Sequence, residues 1–258
     1  VVPARTLLTP HRIGVLAQFG HTEVDVYQAP RVAIVPTGSE LVAIGAKPSS
    51  GQVRNSNAEL LAAAVVRYGG QPTVHEPVRD TDKDHTDAFR SALADADILV
   101  TSGGVSMGDY DLVAATLEAL GARVVFHRIC LKPGKPLLCA VLDGKLILGL
   151  PGNPVSGAVC AELFLRPAIA RLQGSQRSKH LRIRVQLGTN APSVGGRDTV
   201  YPAKWSSTDA GAVVEILRTS GSADIAAFAQ HDALVYRAAN SPELAAGAHV
   251  EVLHWPDA

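Results

Sequence analysis

Apolar and polar positions along the first two-thirds of the chain switch between two periods. Short runs of strand type stand at Arg31–Pro36, Thr73–Val78, Ile98–Val100 and Arg123–Phe126. Segments of helical period lie between them, at Asn57–Tyr68, Thr86–Leu93 and Leu112–Leu120. Ser56-x-x-Glu59 has the form of a capping box for the first of these helices, and Gly69-Gly70 ends it. Leu137–Leu142 and Lys145–Leu150 flank Asp143-Gly144, the mark of a hairpin on a type I′ turn. Asn153-Pro154 then opens a helix expected to reach Leu172, with Asn153 as N-cap and Gly174 as terminator. Strands alternating with helices predict an α/β fold. Its sheet is mostly parallel, covered by helices on both faces in three α/β/α layers, with one antiparallel hairpin.

The pattern changes at residues 175–179. Short strands follow at Leu181–Leu187, Thr199–Ala203, Val213–Leu217, Ala233–Arg237 and His249–Leu253, with one helix at Ala223–Ala229. This predicts a second, smaller, mainly β domain. Ahead of Arg31 only a short helix (Ile13–Phe19) and a short strand (Val24–Tyr27, ended by Pro30) are expected. The organisation read from the chain is therefore a linker at 1–30, an α/β domain at 31–174 and a β domain at 175–258. The first residue is Val, so the chain is expected to begin inside a longer gene product.

Composition narrows the function classes. The 258 residues are 47% hydrophobic and carry no low-complexity tract, which predicts a globular protein. Lys+Arg and Asp+Glu are both 24. With no net charge, the chain lacks an electrostatic footprint for nucleic acid or an anionic membrane, so any bound anion must be held locally. Three cysteines, Cys130, Cys139 and Cys160, form no C-x-x-C pair and read as thiols of a reducing compartment, the cytoplasm. No signal-peptide pattern opens the chain, and Glu162 and Arg166 interrupt the apolar stretch after Pro154, so no membrane span is expected.

The candidate chemistry centres on the loop Thr101–Asp111. A strand enters it, three glycines and three hydroxyls make it up, and Asp109 and Asp111 precede the next helix. Such a turn gathers backbone N–H groups at a helix start, which suits an anion. Gly103 and Gly108 have P-loop spacing, but Asp109 and Tyr110 stand where Lys and Ser/Thr are needed, so that reading is rejected. Gly104-Val105-Ser106-Met107-Gly108 fits the G-x-S-x-G elbow of serine hydrolases, without an oxyanion segment upstream or clear Asp and His partners later. A phosphate cradle with Asp109 or Asp111 on a divalent metal, and a plain turn with a capping Asp, remain open. Asp80, Asp82 and Asp84 alternate like a calcium loop, but His85 and Ser91 replace its Gly and Glu, which excludes an EF-hand. Two more segments could hold anions or be ordinary loops: Lys132-Pro133-Gly134-Lys135-Pro136, with two ammonium groups on a restricted backbone, and Pro151-Gly152-Asn153-Pro154 at a helix start. The nine histidines form neither HExxH nor a close ligand pair.

Taken together, Thr101–Gly108, Lys132–Pro136 and Pro151–Ser156, preceded by Pro36-Thr37-Gly38-Ser39-Glu40-Leu41, resemble motifs of the MoeA/gephyrin E-domain family, the molybdopterin molybdenumtransferases. Four motifs in the family's order over about 120 residues make the resemblance specific. It implies a MogA-like molybdopterin-binding domain, a C-terminal β domain, and insertion of molybdate into adenylylated molybdopterin with release of AMP. It also implies Mg²⁺ as cofactor and a homodimer. Carried over position by position, it implies pterin-nucleotide contacts from Thr37, Gly38, Glu40, Ser102, Gly103, Gly104, Ser106 and Gly108. Further contacts are implied from Pro136, Pro151, Gly152, Asn153 and Ser156. Lys132 and Lys135 match the molybdate-binding lysines and, with Asp111, the catalytic positions; Arg197 and Ser222 match positions near the oxyanion. Asp80, Asp109 and Asp111 are the implied metal ligands, alongside the neighbouring carboxylate of Glu40. The family's N-terminal domains have no counterpart in the chain, which leaves open a pterin-nucleotide module or scaffold without turnover; a serine hydrolase using Ser106 of the G-x-S-x-G segment is a third class.

Overall fold

β1 (Arg31–Pro36) is the strand on which the first domain is assembled, buried from its second residue onward. The structure, a computed structural model, describes residues 2–105, 111–175, 180–209 and 211–254. The chain enters through α1 (Pro10–Gln18), which buries no residue. Residues 21–30 have no regular structure, so the strand expected at Val24–Tyr27 is absent. Among the described residues no strand pairs with that stretch to take up its backbone groups; the Tyr27 ring packs over Gly174 instead.

After β1 come a small ribbon of β2 (Leu41–Val42) and β3 (Val53–Arg54), then α2 (Ser56–Arg67), β4 (Gln71–Val74), α3 (Asp82–Asp95) and β5 (Ile98–Ser102). α4 (Leu112–Ala119), β6 (Arg123–His127) and β7 (Leu131–Lys132) follow, then β8 (Leu138–Leu142) and β9 (Lys145–Leu150). The domain closes with α5 (Pro154–Cys160), a π-helical turn at Ala161–Leu165, and α6 (Arg166–Leu172). Pro167 has no N–H for the carbonyl four residues back and its ring crowds that turn, which accounts for the widening within the single helix expected here.

The first sheet has the order β4-β1-β5-β9-β8-β6, with β4, β1, β5 and β9 parallel and β8 antiparallel to both neighbours. Alternate side chains serve opposite faces. Val32, Ile34, Val100 and Leu148 pack with Leu61, Val65, Leu165 and Ile169 of the α2/α6 layer. Ala33, Val35, Leu99 and Ile147 pack with Phe89, Leu93, Val113 and Leu117 of the α3/α4 layer. The strands are therefore apolar throughout, and the domain is three-layered as expected. Asp143 (φ 50°) and Gly144 (φ 77°) make the left-handed pair of the β8–β9 turn.

Two boundaries differ from expectation. β4 ends at Val74 because Pro77 has no N–H for a ladder; Val78 returns only as a bridge to Thr37. α2 begins at Ser56 with Asn55 as its cap, accepting from the Ala58 N–H at 3.4 Å, one residue before the expected capping box.

The second domain is a barrel of β10 (Leu181–Leu187), β11 (Asp198–Thr208), β12 (Gly211–Ile216), β13 (Ala233–Arg237) and β14 (His249–His254), with α7 (Ile225–Phe228) before β13. The order β12-β10-β14-β13-β11 closes because β11 pairs with β13 through Thr199–Ala203 and with β12 through Ala203–Thr208. Closure removes sheet edges around a core that includes Val185, Val214, Val235 and Val252. β7, from the first domain, adds to β11 (Asp198↔Leu131, Thr199↔Lys132). An apolar seam of Val155 and Val159 against Val200, Phe228 and Leu253 joins the two domains.

Candidate functional site

In the first sheet the chain moves from β1 outward to β4 and then returns to β5 on the other side of β1. The ends of β1 and β5 thus diverge at a topological switch point, where open α/β sheets leave a crevice for ligands. A cleft of about 650 Å³ lies there, walled by the loops after β1 (Thr37, Glu40), β5 (Ser102, Gly103, Gly104) and β9 (Pro151, Gly152, Asn153). Pro136 adds to the same wall, and Ala223 of the barrel domain closes one side.

Glycines permit the close approach of these loops. A Cβ on Gly103 (φ +102°) would stand 2.5 Å from the Thr37 carbonyl oxygen. One on Gly104 (φ +67°) would meet Val113 Cγ2 at 2.6 Å and Thr37 Oγ1 at 2.8 Å. The Gly152 backbone comes so near Gly103 that a Cβ would touch its Cα at 3.5 Å. Backbone bonds tie the loops: the Thr37 N–H donates to the Ser102 carbonyl (3.1 Å) and the Gly103 N–H to the Leu150 carbonyl (3.1 Å). Asn57, in the first turn of α2, donates to Ser102 Oγ (3.0 Å) and to the Gly152 carbonyl (2.8 Å), pinning the β5 and β9 loops together. Among the described residues, the N–H groups of Gly104 and Gly152 have no backbone acceptor and Thr37 Oγ1 is buried without a partner.

The cleft wall has two charged residues among those described, Glu40 and Arg54. The Glu40 carboxylate folds into the space a Gly38 side chain would fill, with Oε2 2.6 Å from that Cβ position (φ +143°). Asp80 lies outside the wall and braces it: its Oδ2 accepts from the Ser39 N–H (2.9 Å), while the Asp80 N–H donates to Ser39 Oγ (3.2 Å). Asp111 caps α4, accepting from the Ala114 N–H at 3.0 Å, and its Oδ2 lies 3.0 Å from His127 Nε2 without the alignment of a hydrogen bond. Among the described residues no three His, Cys, Asp or Glu side chains cluster as a metal cage. Ser106, Gly108 and Asp109 lie outside the described residues.

Lys132 ends β7 and is exposed, Lys135 is half-buried, and neither lines the cleft; the next residue, Pro136, does. Arg197 precedes the β11 residue paired with Leu131, so it sits at the junction that also carries Lys132. Ser222 reaches the cleft rim through Asn153, whose amide donates to Ser222 Oγ at 3.0 Å. Asn153 therefore stands at the N-cap of α5 but spends its side chain on the barrel rather than on the helix. Ser156 is buried in the first turn of α5, away from the wall. The structure thus gathers Thr37, Glu40, Ser102, Gly103, Gly104, Pro136, Pro151, Gly152 and Asn153, with Ser222 adjoining, and leaves the three basic residues beside the cleft. Sequence reasoning missed Asn57 and Arg54; Asn57 was legible only as a residue of the α2 start.

Residues 33–171 match the family model described as the probable molybdopterin binding domain, and residues 184–255 match that of the MoeA C-terminal region (domain IV). A molybdopterin molybdenumtransferase of Nostoc sp. is 37% identical over 203 residues, 77% of this chain and 47% of the relative. One of Staphylococcus aureus (strain COL) is 30% identical over 247 residues, 96% of this chain and 59% of the relative. The crystal structure of a molybdopterin biosynthesis MoeA protein of Pyrococcus horikosii superposes with a TM-score of 0.82 at 27% identity, over 97% of this chain and 61% of that one. The chain spans about half to three-fifths of the curated relatives it matches. Motif order, the three-layer sheet, the cleft at its switch point and both family matches agree: the chain belongs to the MoeA family.

Proposed function

We propose that the cleft holds adenylylated molybdopterin and that the chain serves the insertion of molybdate into it, with release of AMP. The observation that carries this reading is the meeting of three glycine-bearing loops at one switch point, where the Gly104 and Gly152 N–H groups have no backbone acceptor among the described residues and both glycines line the cleft. The Gly104 and Gly152 amides would take phosphate oxygens. Lys132, Lys135 and Arg197, grouped beside Pro136, bring in the second anion, molybdate, as a substrate distinct from the nucleotide. Asn153 and Ser222 hold the cleft's domain-facing side in place.

Mg²⁺ fits this donor set in one form. It draws one or two carboxylates from protein and completes its shell with phosphate and water, so it needs no protein cage. Glu40, held in the Gly38 hollow, and Asp80, whose Oδ1 is left over from the Ser39 bond, would hold it. Asp111 contributes by fixing the start of α4, and its Oδ2 faces His127. When bound, the ion supplies neutralisation of the diphosphate charge. The chain's own residues then act by positioning and charge, without a strong nucleophile.

The test is reconstitution of an apo-molybdoenzyme with this chain, adenylylated molybdopterin and molybdate, comparing wild type with Lys135→Ala. The reading expects the variant to need more molybdate while pterin affinity stays within a few-fold. Joint loss of pterin and molybdate binding would show that the two anions do not have separate sites.

A further inference from the structure

The geometry points to Arg54 as the residue that grips the diphosphate of the nucleotide, an inference that rests on the ligand proposed above. Arg54 is the one cation in the cleft wall among the described residues. It ends β3, whose parallel pairing with β2 (Leu41↔Val53, Val42↔Arg54) places it on the same small ribbon as the Glu40 loop. Two further bonds set that ribbon: the Val53 N–H donates to the Glu40 carbonyl (3.0 Å) and the Asn55 N–H to the Val42 carbonyl (3.0 Å).

The guanidinium is oriented from behind. Its Nε donates to the Ile44 carbonyl at 2.9 Å, while the terminal nitrogens have no carboxylate partner among the described residues. An arginine anchored through Nε keeps its two-pronged edge for another oxyanion, and that edge matches phosphate geometry. Of the two charged residues in the described cleft wall, Glu40 is the negative one and Arg54 the positive one, so an anion there turns to Arg54. The same cleft wall offers the Gly104 and Gly152 amides. A diphosphate brings two phosphoryl groups, one for the guanidinium and one for these amides, whereas a single phosphate brings one. Arg54 is thus a specificity-determining residue: it favours adenylylated over free molybdopterin, and Lys132 and Lys135 are left to molybdate.

The experiment is calorimetric titration of the full chain with molybdopterin, which ends in one phosphate, and with its adenylylated form. Wild type, Arg54→Ala and Arg54→Lys are compared, with thermal melts run in parallel. Arg54→Ala is expected to weaken the adenylylated ligand by about tenfold to a hundredfold, and free molybdopterin by no more than a few-fold. Arg54→Lys should recover part of the loss, since charge returns without the fork. If wild type binds the adenylylated ligand and Arg54→Ala binds it equally well, the assignment to Arg54 is wrong and the ligand reading survives. Equal losses for both ligands would also overturn it, by placing Arg54 on the shared phosphate. A wild-type chain that binds neither ligand overturns the ligand reading and this inference with it.

Discussion

The amide of Asn153 donates to Ser222 Oγ at 3.0 Å, and the Val155 N–H donates to the Ser222 carbonyl at 3.1 Å. One serine of the barrel domain therefore receives two bonds from the start of α5, at the rim of the cleft. The side-chain bond is solvent-accessible, so its net worth is about 0.5–1 kcal/mol. Asn153→Ala and Ser222→Ala should each destabilise by about that amount, and the double variant by little more than either. Chemical denaturation of the three variants checks this. Fully additive losses would mean that the two side chains are not coupled in solution.

Gly103 sets how closely the β1 and β5 loops approach. Its φ of +102° and the 2.5 Å between a Cβ and the Thr37 carbonyl oxygen leave no room for a methyl group. Gly103→Ala should cost more than about 1 kcal/mol of stability and move the β1 and β5 loops apart. Ligand affinity should fall further than stability does. A variant with unchanged melting temperature and ligand affinity would contradict the packing of these loops.

His85 gives the fold a pH dependence. Its ring is fully buried against Phe89, with centroids 5.4 Å apart, and has the Leu112 backbone nearby but no well-aligned hydrogen bond among the described residues. Burial holds its pKa below the ordinary 6.5, outweighing the opposite pull of Asp80, Asp82, Asp84 and the Leu112 backbone. As pH falls below 6.5 the unfolded chain takes up a proton that the folded chain refuses, so stability declines until the folded-state pKa is reached. Above 6.5 this group adds no slope. His180, also depressed by burial, acts in the same direction. Denaturation midpoints measured between about pH 7.5 and pH 5.5 should fall, with a slope of at most about 1.4 kcal/mol per pH unit per group. His85→Leu should flatten the profile; a variant with the wild-type profile would assign the slope elsewhere.

The sequence made the sheet legible where local chemistry and tertiary partners agree. Val32–Val35 and Leu146–Leu150 lie on strands buried on both faces, and Asp143-Gly144 leaves one short connection between its flanking runs. Where the partner decides, sequence reading stopped short. β11 reads as a strand to Ala203, but its length to Thr208 comes from a second neighbour, β12, that closes the barrel. Leu131–Lys132 looks like part of a loop, and becomes a strand only because β11 of the other domain lies alongside. The site followed the same rule. Glycines and prolines mark Thr37–Glu40, Ser102–Gly104 and Pro151–Asn153 by their own backbone needs, and these segments meet in the cleft. Arg54 and Asn57 carry no such mark: one depends on the Ile44 carbonyl ten residues earlier, the other on the Gly152 carbonyl across the fold. That Pro136 lines the cleft while Lys132 and Lys135 do not is likewise a property of the assembled structure.

The proposed function requires the cleft beside Gly103, Gly104 and Gly152 to be a pterin-nucleotide site completed by Mg²⁺. Equilibrium titration with adenylylated molybdopterin tests it most directly, run with and without Mg²⁺, with ATP as competitor and with Glu40→Gln as the second protein. Saturable binding that Mg²⁺ tightens, weak competition by ATP, and a loss of most of the Mg²⁺ effect in Glu40→Gln are expected. Equal affinity for ATP and the pterin nucleotide, or binding indifferent to Mg²⁺ in both proteins, would contradict it.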